Sequence, residues 1–163
     1  MTDIEKDVLA LISEDSRMSH DKLATMLGVK KSEVEKAVKN LEESGIIVKY
    51  TAIINRDSLE EELVEALIEV KVTPRRGSGF DKIAAEISAH DEVKNLYLMS
   101  GAYDLAVIVA CKSLRSVSRF VSEKISTYES VLSTATHFIL KKYKVEGAEM
   151  SGGADTVRLS VQA

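Results

Sequence analysis

Residues 20–50 hold the pattern that most limits what this chain can fold into: two short apolar-periodic stretches separated by Gly28, the second rich in lysine, then Gly45 and a β-branched run. Leu23, Ala24 and Leu27 repeat at helical spacing before Gly28, and Val34, Val38 and Leu41 do so before Gly45. A glycine at each stop accepts the left-handed backbone that closes a helix. Ser19 can cap the first of these helices, and Asp21 suits its positive end. Upstream, Thr2 and Glu5 have capping-box spacing, while Ile4, Val8 and Leu11 fall on one stripe, so another helix precedes the pair. Three short helices joined by tight turns form a helix-turn-helix. The run 46–54 reads as strands of a small wing or as the way out of the domain. Such a unit takes double-stranded DNA as its partner.

Charge qualifies that expectation. The chain carries 22 Lys and Arg against 26 Asp and Glu, a net charge of −4, and its first 56 residues hold nine basic against ten acidic residues. Only the second stretch departs from this, with Lys30, Lys31, Lys36 and Lys39 against Glu33 and Glu35. A weak local strip implies DNA binding through several linked copies, weakening steeply with salt. The exposed side of the third helix offers Lys30, Lys31, Ser32, Glu35, Lys36 and Lys39, the lysines as phosphate contacts and Ser32 or Glu35 at base edges. Arg17, Ser19 and His20 stand where the second helix starts, at amides suited to a phosphate. Lys49 adds a backbone contact from the run that follows.

From 56 to 65 the sequence is polar and acidic and reads as a hinge between a DNA-binding domain at 1–55 and a second domain at 66–146, with a tail at 147–163. In the second domain Ala66, Ile68, Val70 and Val72 alternate as a strand face. Pro74 opens a loop, and Phe80, Ile83, Ala84 and Ile87 follow a helical stripe with Ser78 or Gly79 near its cap. Residues 93–99 and 103–111 are two apolar strands turning near Gly101 and Ala102. Ser113 starts a helix with the stripe Leu114, Val117, Phe120, Val121 and Ile125, and 133–143 alternates as a closing strand. The order is βαββαβ, a ferredoxin-like α+β domain. Both helices lie on one face, so Leu67, Leu98, Leu105 and Phe138 call for a second subunit as cover, and a homodimer is expected.

In the turn, Gly101 and Ala102 expose backbone amides, Tyr103 supplies a wall, and Asp104 holds an ammonium or orients the loop. The competing reading is a hairpin turn in which Asp104 satisfies the turn's own amides. Ser133, Thr134 and Thr136 place hydroxyls on an otherwise apolar strand.

With a helix-turn-helix ahead of a βαββαβ unit, the chain resembles the Lrp/AsnC family of feast/famine transcriptional regulators over about residues 2–144. The residues that carry the resemblance are Asp15-Ser16-Arg17-Met18-Ser19, Leu23-Ala24, Leu41-Glu42-Glu43-Ser44-Gly45-Ile46-Ile47 and Ser100-Gly101-Ala102-Tyr103-Asp104-Leu105. The resemblance implies a winged helix-turn-helix DNA-binding domain and a regulatory domain that binds a small-molecule effector, commonly an amino acid. It further implies dimers that assemble into higher oligomers. Ser100, Gly101, Ala102, Tyr103 and Asp104 then face effector between dimers, with Ser133, Thr134 and Thr136 nearby. The chain departs from the family at Lys30, where many members have Ser, and at Ala37, where many have Arg. Ser32 and Glu35 offer a replacement capping box two residues later.

Other classes are disfavoured. His20, His90 and His137 lie far apart without metal-ligand spacing, and no glycine-rich phosphate loop or nucleophile elbow is present, so no catalytic residue, metal or cofactor is expected. The single cysteine, Cys111, sits in an apolar run and reads as a buried small hydrophobe. No apolar run reaches the roughly 18 residues of a membrane span, and the acidic start does not suit a secretory signal. A cytoplasmic protein without membrane partners is expected. Two rivals remain: an oligomeric small-molecule-binding interaction protein with a degenerate helix-turn-helix, and an allosteric subunit attached to a metabolic enzyme.

Overall fold

In the computed structural model, which describes residues 1–56, 59, 63–74 and 79–150, three helices open the chain: α1 (Asp3–Glu14), α2 (His20–Leu27) and α3 (Lys31–Glu43). The Thr2 hydroxyl accepts the Glu5 N–H at 3.3 Å, and the Glu5 carboxylate accepts the Thr2 N–H at 2.7 Å, closing the capping box. Ser19 caps α2 by accepting from the Lys22 N–H, and Gly28 ends it with a φ of 66°. After α3, Gly45 turns the chain with a φ of 71°, and the Ile47 N–H returns to the Leu41 carbonyl at 3.0 Å. Val8, Leu23, Ala24, Val34, Ala37, Val38 and Leu41 form the buried centre of this unit. A carboxylate joins them, since Glu5 also accepts from Asn40 Nδ2 at 3.0 Å and so ties α1 to α3.

The run 46–54 forms no strand. Its β-branched residues find no partner strand within the unit, and a lone extended segment has nothing to pair with. Ile47 packs on the helices, while Val48 is 87% exposed, so of the two readings the way out of the domain is the one observed.

The two units divide as Met1–Ile53 and Ile54–Ala163. In the second, β1 (Val64–Val72), α4 (Asp81–Ser88), β2 (Val93–Leu98), β3 (Leu105–Cys111), α5 (Leu114–Glu123) and β4 (Val131–Phe138) build an antiparallel sheet in the order β2-β3-β1-β4. That is the expected βαββαβ connection. Ala66, Ile68, Val70 and Val72 of β1 and Leu105, Val107, Val109 and Cys111 of β3 pack against Ile83, Ile87, Val117 and Phe120 of the helices. A two-strand hairpin, β5 (Lys144–Val145) and β6 (Ala148–Glu149), follows.

Several boundaries differ from expectation. β1 includes Val64 and Glu65, which the sequence assigned to the hinge at 56–65. α4 is preceded by Phe80 without a side-chain cap, and Ser78 lies outside the described residues. Leu114 is largely exposed rather than part of the buried stripe of α5, and Ile125 sits in a 3₁₀ turn after that helix. β4 stops at Phe138 instead of continuing to 143, and of the tail only 147–150 is described, with Met150 buried.

Pairing also revises which apolar residues lie away from the helices. Opposed residues of an antiparallel pair share a face. Leu105 is 1% exposed and belongs to the helix side; Leu98 pairs with it, and Phe138 pairs with Ala66 of that side. Of the four residues expected to demand a partner subunit, Leu67 alone is on the far face, where Ile108 and Tyr97 join it.

Candidate DNA-binding face and regulatory loop

α3 is held to its unit by Val34, Ala37, Val38 and Leu41, which leaves Lys31, Ser32, Glu35, Lys36 and Lys39 exposed. Its start is unusual. Lys30 occupies the cap position, where a side chain that can only donate cannot accept a helix amide. Glu33 compensates from within the first turn, its carboxylate accepting the Lys30 N–H at 2.9 Å. The helix therefore begins at Lys31, and the box expected from Ser32 and Glu35 is not used. Ser32 is thereby left on the outward side with Lys36 one turn on, neither with a hydrogen-bond or ion-pair partner among the described residues.

The other charges of this face are partly matched. Lys31 Nζ lies 2.8 Å from Asp21, whose hydrogen bond and charge push the lysine's pKa up. Lys39 lies 3.6 Å from Glu43 along the helix, and His20 Nδ1 lies 3.9 Å from Glu35. Such exposed pairs hold weakly. An arriving phosphate can take over the lysine of either pair at small cost. Ala37, the position where Arg is frequent in the resembling family, is 2% exposed inside the unit. An arginine there would enter the core, so its absence takes nothing from the outward face.

Around the start of α2, the Arg17 N–H is held by the Asp15 carboxylate at 3.0 Å, Ser19 is the cap, and His20 opens the helix. The Ser19 hydroxyl hydrogen stays available to an anion while its oxygen caps. Lys49 is exposed in the irregular segment after the unit's core. Tyr50 carries no motif that marks it, yet its hydroxyl donates to Glu42 at 2.9 Å; partial burial and that carboxylate push its pKa up. It walls a groove with Met18, His20, Glu35, Val38 and Lys39, fixing the edge of the α3 face. Glu42 and Tyr50 are eight residues apart across a turn, so no helical spacing connected them.

In the second unit the motif loop 99–104 joins β2 to β3, closed by the Met99 N–H on the Asp104 carbonyl at 2.8 Å. The Asp104 N–H donates to the Val70 carbonyl at 3.1 Å, and its carboxylate accepts the Val72 N–H at 2.8 Å. Beyond Leu105, β3 has no residue left to receive β1, so the Asp104 side chain completes the ladder there. Asp104 thus satisfies an amide of a neighbouring strand rather than the amides of its own turn. Ser100, Gly101 and Ala102 are exposed and Tyr103 is half-buried. A Cβ on Gly101 would meet nothing within 4 Å, and its φ is outside the left-handed range, so the unit itself makes no demand for glycine there.

The hydroxyls of β4 divide. Ser133 is opposite Lys71, while Thr134 and Thr136 are opposite Val70 and Ile68 on the helix side. The three therefore divide between the two faces of the sheet. A register shift between Lys71 and Val72 sets this end of the sheet. Asp104 and Ser133 both flank β1 at this level, about 10 Å apart by two strand spacings.

Among the described residues no group of three or more His, Cys, Asp or Glu is placed to hold a metal, and no helix is long and apolar enough to cross a membrane.

Comparison with known proteins adds to this geometry. A family model for a winged helix-turn-helix DNA-binding domain matches residues 1–48, and one for the Lrp/AsnC ligand binding domain matches residues 65–149. An uncharacterized HTH-type transcriptional regulator of Bacillus subtilis, YugG, is 44% identical over 162 residues, 99% of this chain and 98% of its own. Among solved structures, a transcriptional regulator of Neisseria meningitidis in complex with L-Met superposes with a TM-score of 0.71 at 21% identity, covering 89% of this chain and 93% of its own. AsnC of E. coli does so with a TM-score of 0.69 at 20% identity, covering 89% and 95%.

Proposed function

We propose, from the premise that the chain belongs to the Lrp/AsnC family of transcriptional regulators, that it is a cytoplasmic, sequence-specific DNA-binding protein whose assembly or DNA affinity answers to an amino acid. The observation that carries the DNA-binding half is the outward face of α3. Ser32 and Lys36 stand exposed there without partners among the described residues, flanked by lysines in weak surface pairs, on a helix anchored from behind by four buried residues. In a helix-turn-helix the N-terminal turns of this helix enter the major groove. Lys30, Lys31, Lys36 and Lys39 then contact phosphates, Ser32 and Glu35 meet base edges, and Arg17, Ser19, His20 and Lys49 hold the flanking backbone.

With one weakly basic reader per chain, affinity depends on linking copies, which raises effective concentration. The far face of the sheet, with Leu67, Ile108 and Tyr97, is the surface we assign to a homodimer, which assembles further. The effector binds where loop 100–104 meets another dimer, near Ser133, Thr134 and Thr136 of either chain. Its carboxylate takes the exposed turn amides and its ammonium takes the second oxygen of Asp104. An amino acid bound there shifts assembly only through a difference in its affinity for the two states.

The test is DNA binding to a fragment of the protein's own promoter as salt is varied, in the parent and in Lys36→Ala. A salt slope shallower by about one in the variant places Lys36 on a phosphate. Unchanged affinity and slope would remove α3 from the interface and leave the interaction-protein alternative. For the effector, a thermal-shift screen of amino acids is repeated with Asp104→Asn, which keeps an acceptor for Val72 while removing the charge.

A further inference from the structure

The opposite end of β1 carries a separate feature. Glu65 lies there, seven residues from Val72, which at about 3.3 Å per residue puts it more than 20 Å from the Asp104 end. A cavity of about 120 Å³ opens beside it, lined by Asn55, Arg56, Glu65, Lys141, Lys142 and Met150 among others. Three cations against one carboxylate is a local excess that the chain as a whole, at −4, does not share.

The carboxylate is already matched. Glu65 forms an ion pair with Lys142 in which the glutamate side chain is 15% exposed, and a carboxylate buried to that degree is retained only with a partner. Arg56 and Lys141 have no carboxylate among the described residues, and Lys141 lies over the Tyr143 ring at 5.1 Å. Among the described residues, two positive groups thus line a concave wall without a counter-charge. The wall is also fixed: Asn55 Nδ2 donates to the Met150 carbonyl at 2.9 Å, the Met150 N–H donates to the Tyr143 carbonyl at 2.9 Å, and the Ile139 N–H donates to the Glu65 carbonyl at 2.9 Å.

We infer that this cavity is a binding site for a small oxyanion, a carboxylate or a phosphate, held by Arg56 and Lys141 with the Glu65–Lys142 pair as its floor. Arginine presents the planar donor fork that both anions match. Size limits the ligand to one anionic group with a short substituent. Because Asn55 and Arg56 belong to the stretch by which the chain enters the second unit, an anion here holds that stretch to 139–142 and to Met150.

The experiment is thermal unfolding of the full chain in sodium phosphate, sodium acetate and sodium chloride at matched ionic strength, for the parent, Arg56→Ala/Lys141→Ala and Asp104→Asn. Ligand that binds only the folded state raises the transition temperature. A rise of about 2 °C or more over chloride is expected for the parent and for Asp104→Asn, and its loss in the double variant. The double variant removes exposed side chains and leaves the Glu65–Lys142 pair, so its own transition in chloride serves as the folding control. Preference for phosphate or for acetate identifies the anion. Equal transitions in all three salts, or a rise that survives in the double variant, overturns the assignment without touching the effector site at loop 100–104.

Discussion

On α3, Ser32 and Lys36 face outward and Val34, Val38 and Leu41 hold the helix from behind, so the groups we assign to DNA are not the groups that keep the fold. In loop 99–104 the division disappears, because Asp104, the residue best suited to an ammonium, is also the acceptor that ends the β1–β3 ladder at Val72. A substitution on the helix reads out binding alone. A substitution of Asp104 reads out binding and folding together.

The largest break in this contrast is Asp104→Ala. It leaves the partly buried Val72 N–H without its acceptor, which costs about 1–3 kcal/mol of stability in the second unit, measured by urea unfolding. If stability is unchanged, the loop is as separable from the fold as α3 is. Next, Lys36→Ala weakens DNA binding severalfold with no change in unfolding. Lys31→Ala weakens it less, since Lys31 must first leave Asp21. Anisotropy titrations at two salt concentrations check both, and the reverse order would show that the pair with Asp21 does not survive in solution.

The first unit has a polar tie of its own. The Asn40 hydrogen bond, with the Thr2 amide, holds the Glu5 carboxyl below the usual glutamate range. A depressed carboxylate contributes stability above its unfolded pKa, and that contribution is lost as pH falls through the folded value. Asn40→Ala therefore lowers the unfolding midpoint of the first unit at neutral pH, and the gap to the parent closes in acid. The smallest effect is expected from Gly101→Ala, where open space and an ordinary φ permit a side chain. Stability stays the same or rises by under about 1 kcal/mol, while response to the effector falls if the loop is the contact we propose.

How much of this was readable in the sequence follows from how local each feature is. Thr2, Ser19, Gly28 and Gly45 act within one turn of a helix, and each does what its residue type implies. The α3 stripe needed only helical spacing. In contrast, 46–54 has every local sign of a strand and forms none, because a strand requires a partner that the unit lacks. Which face each of Ser133, Thr134 and Thr136 takes was not legible, because strand alternation and the register against β1 decide it. Asp104 on Val72 spans 32 residues, and Asn40 on Glu5 spans 35, distances over which composition and periodicity are silent.

With Lys30 unable to accept an amide, the start of α3 relies on Glu33, so a negative charge is built into the edge we assign to DNA. Helix integrity and attraction to DNA therefore pull in opposite directions at a single side chain. Glutamine at 33 would keep an acceptor for the Lys30 N–H and remove the charge, so strength of attachment can be adjusted here while the positions we assign to base edges stay as they are.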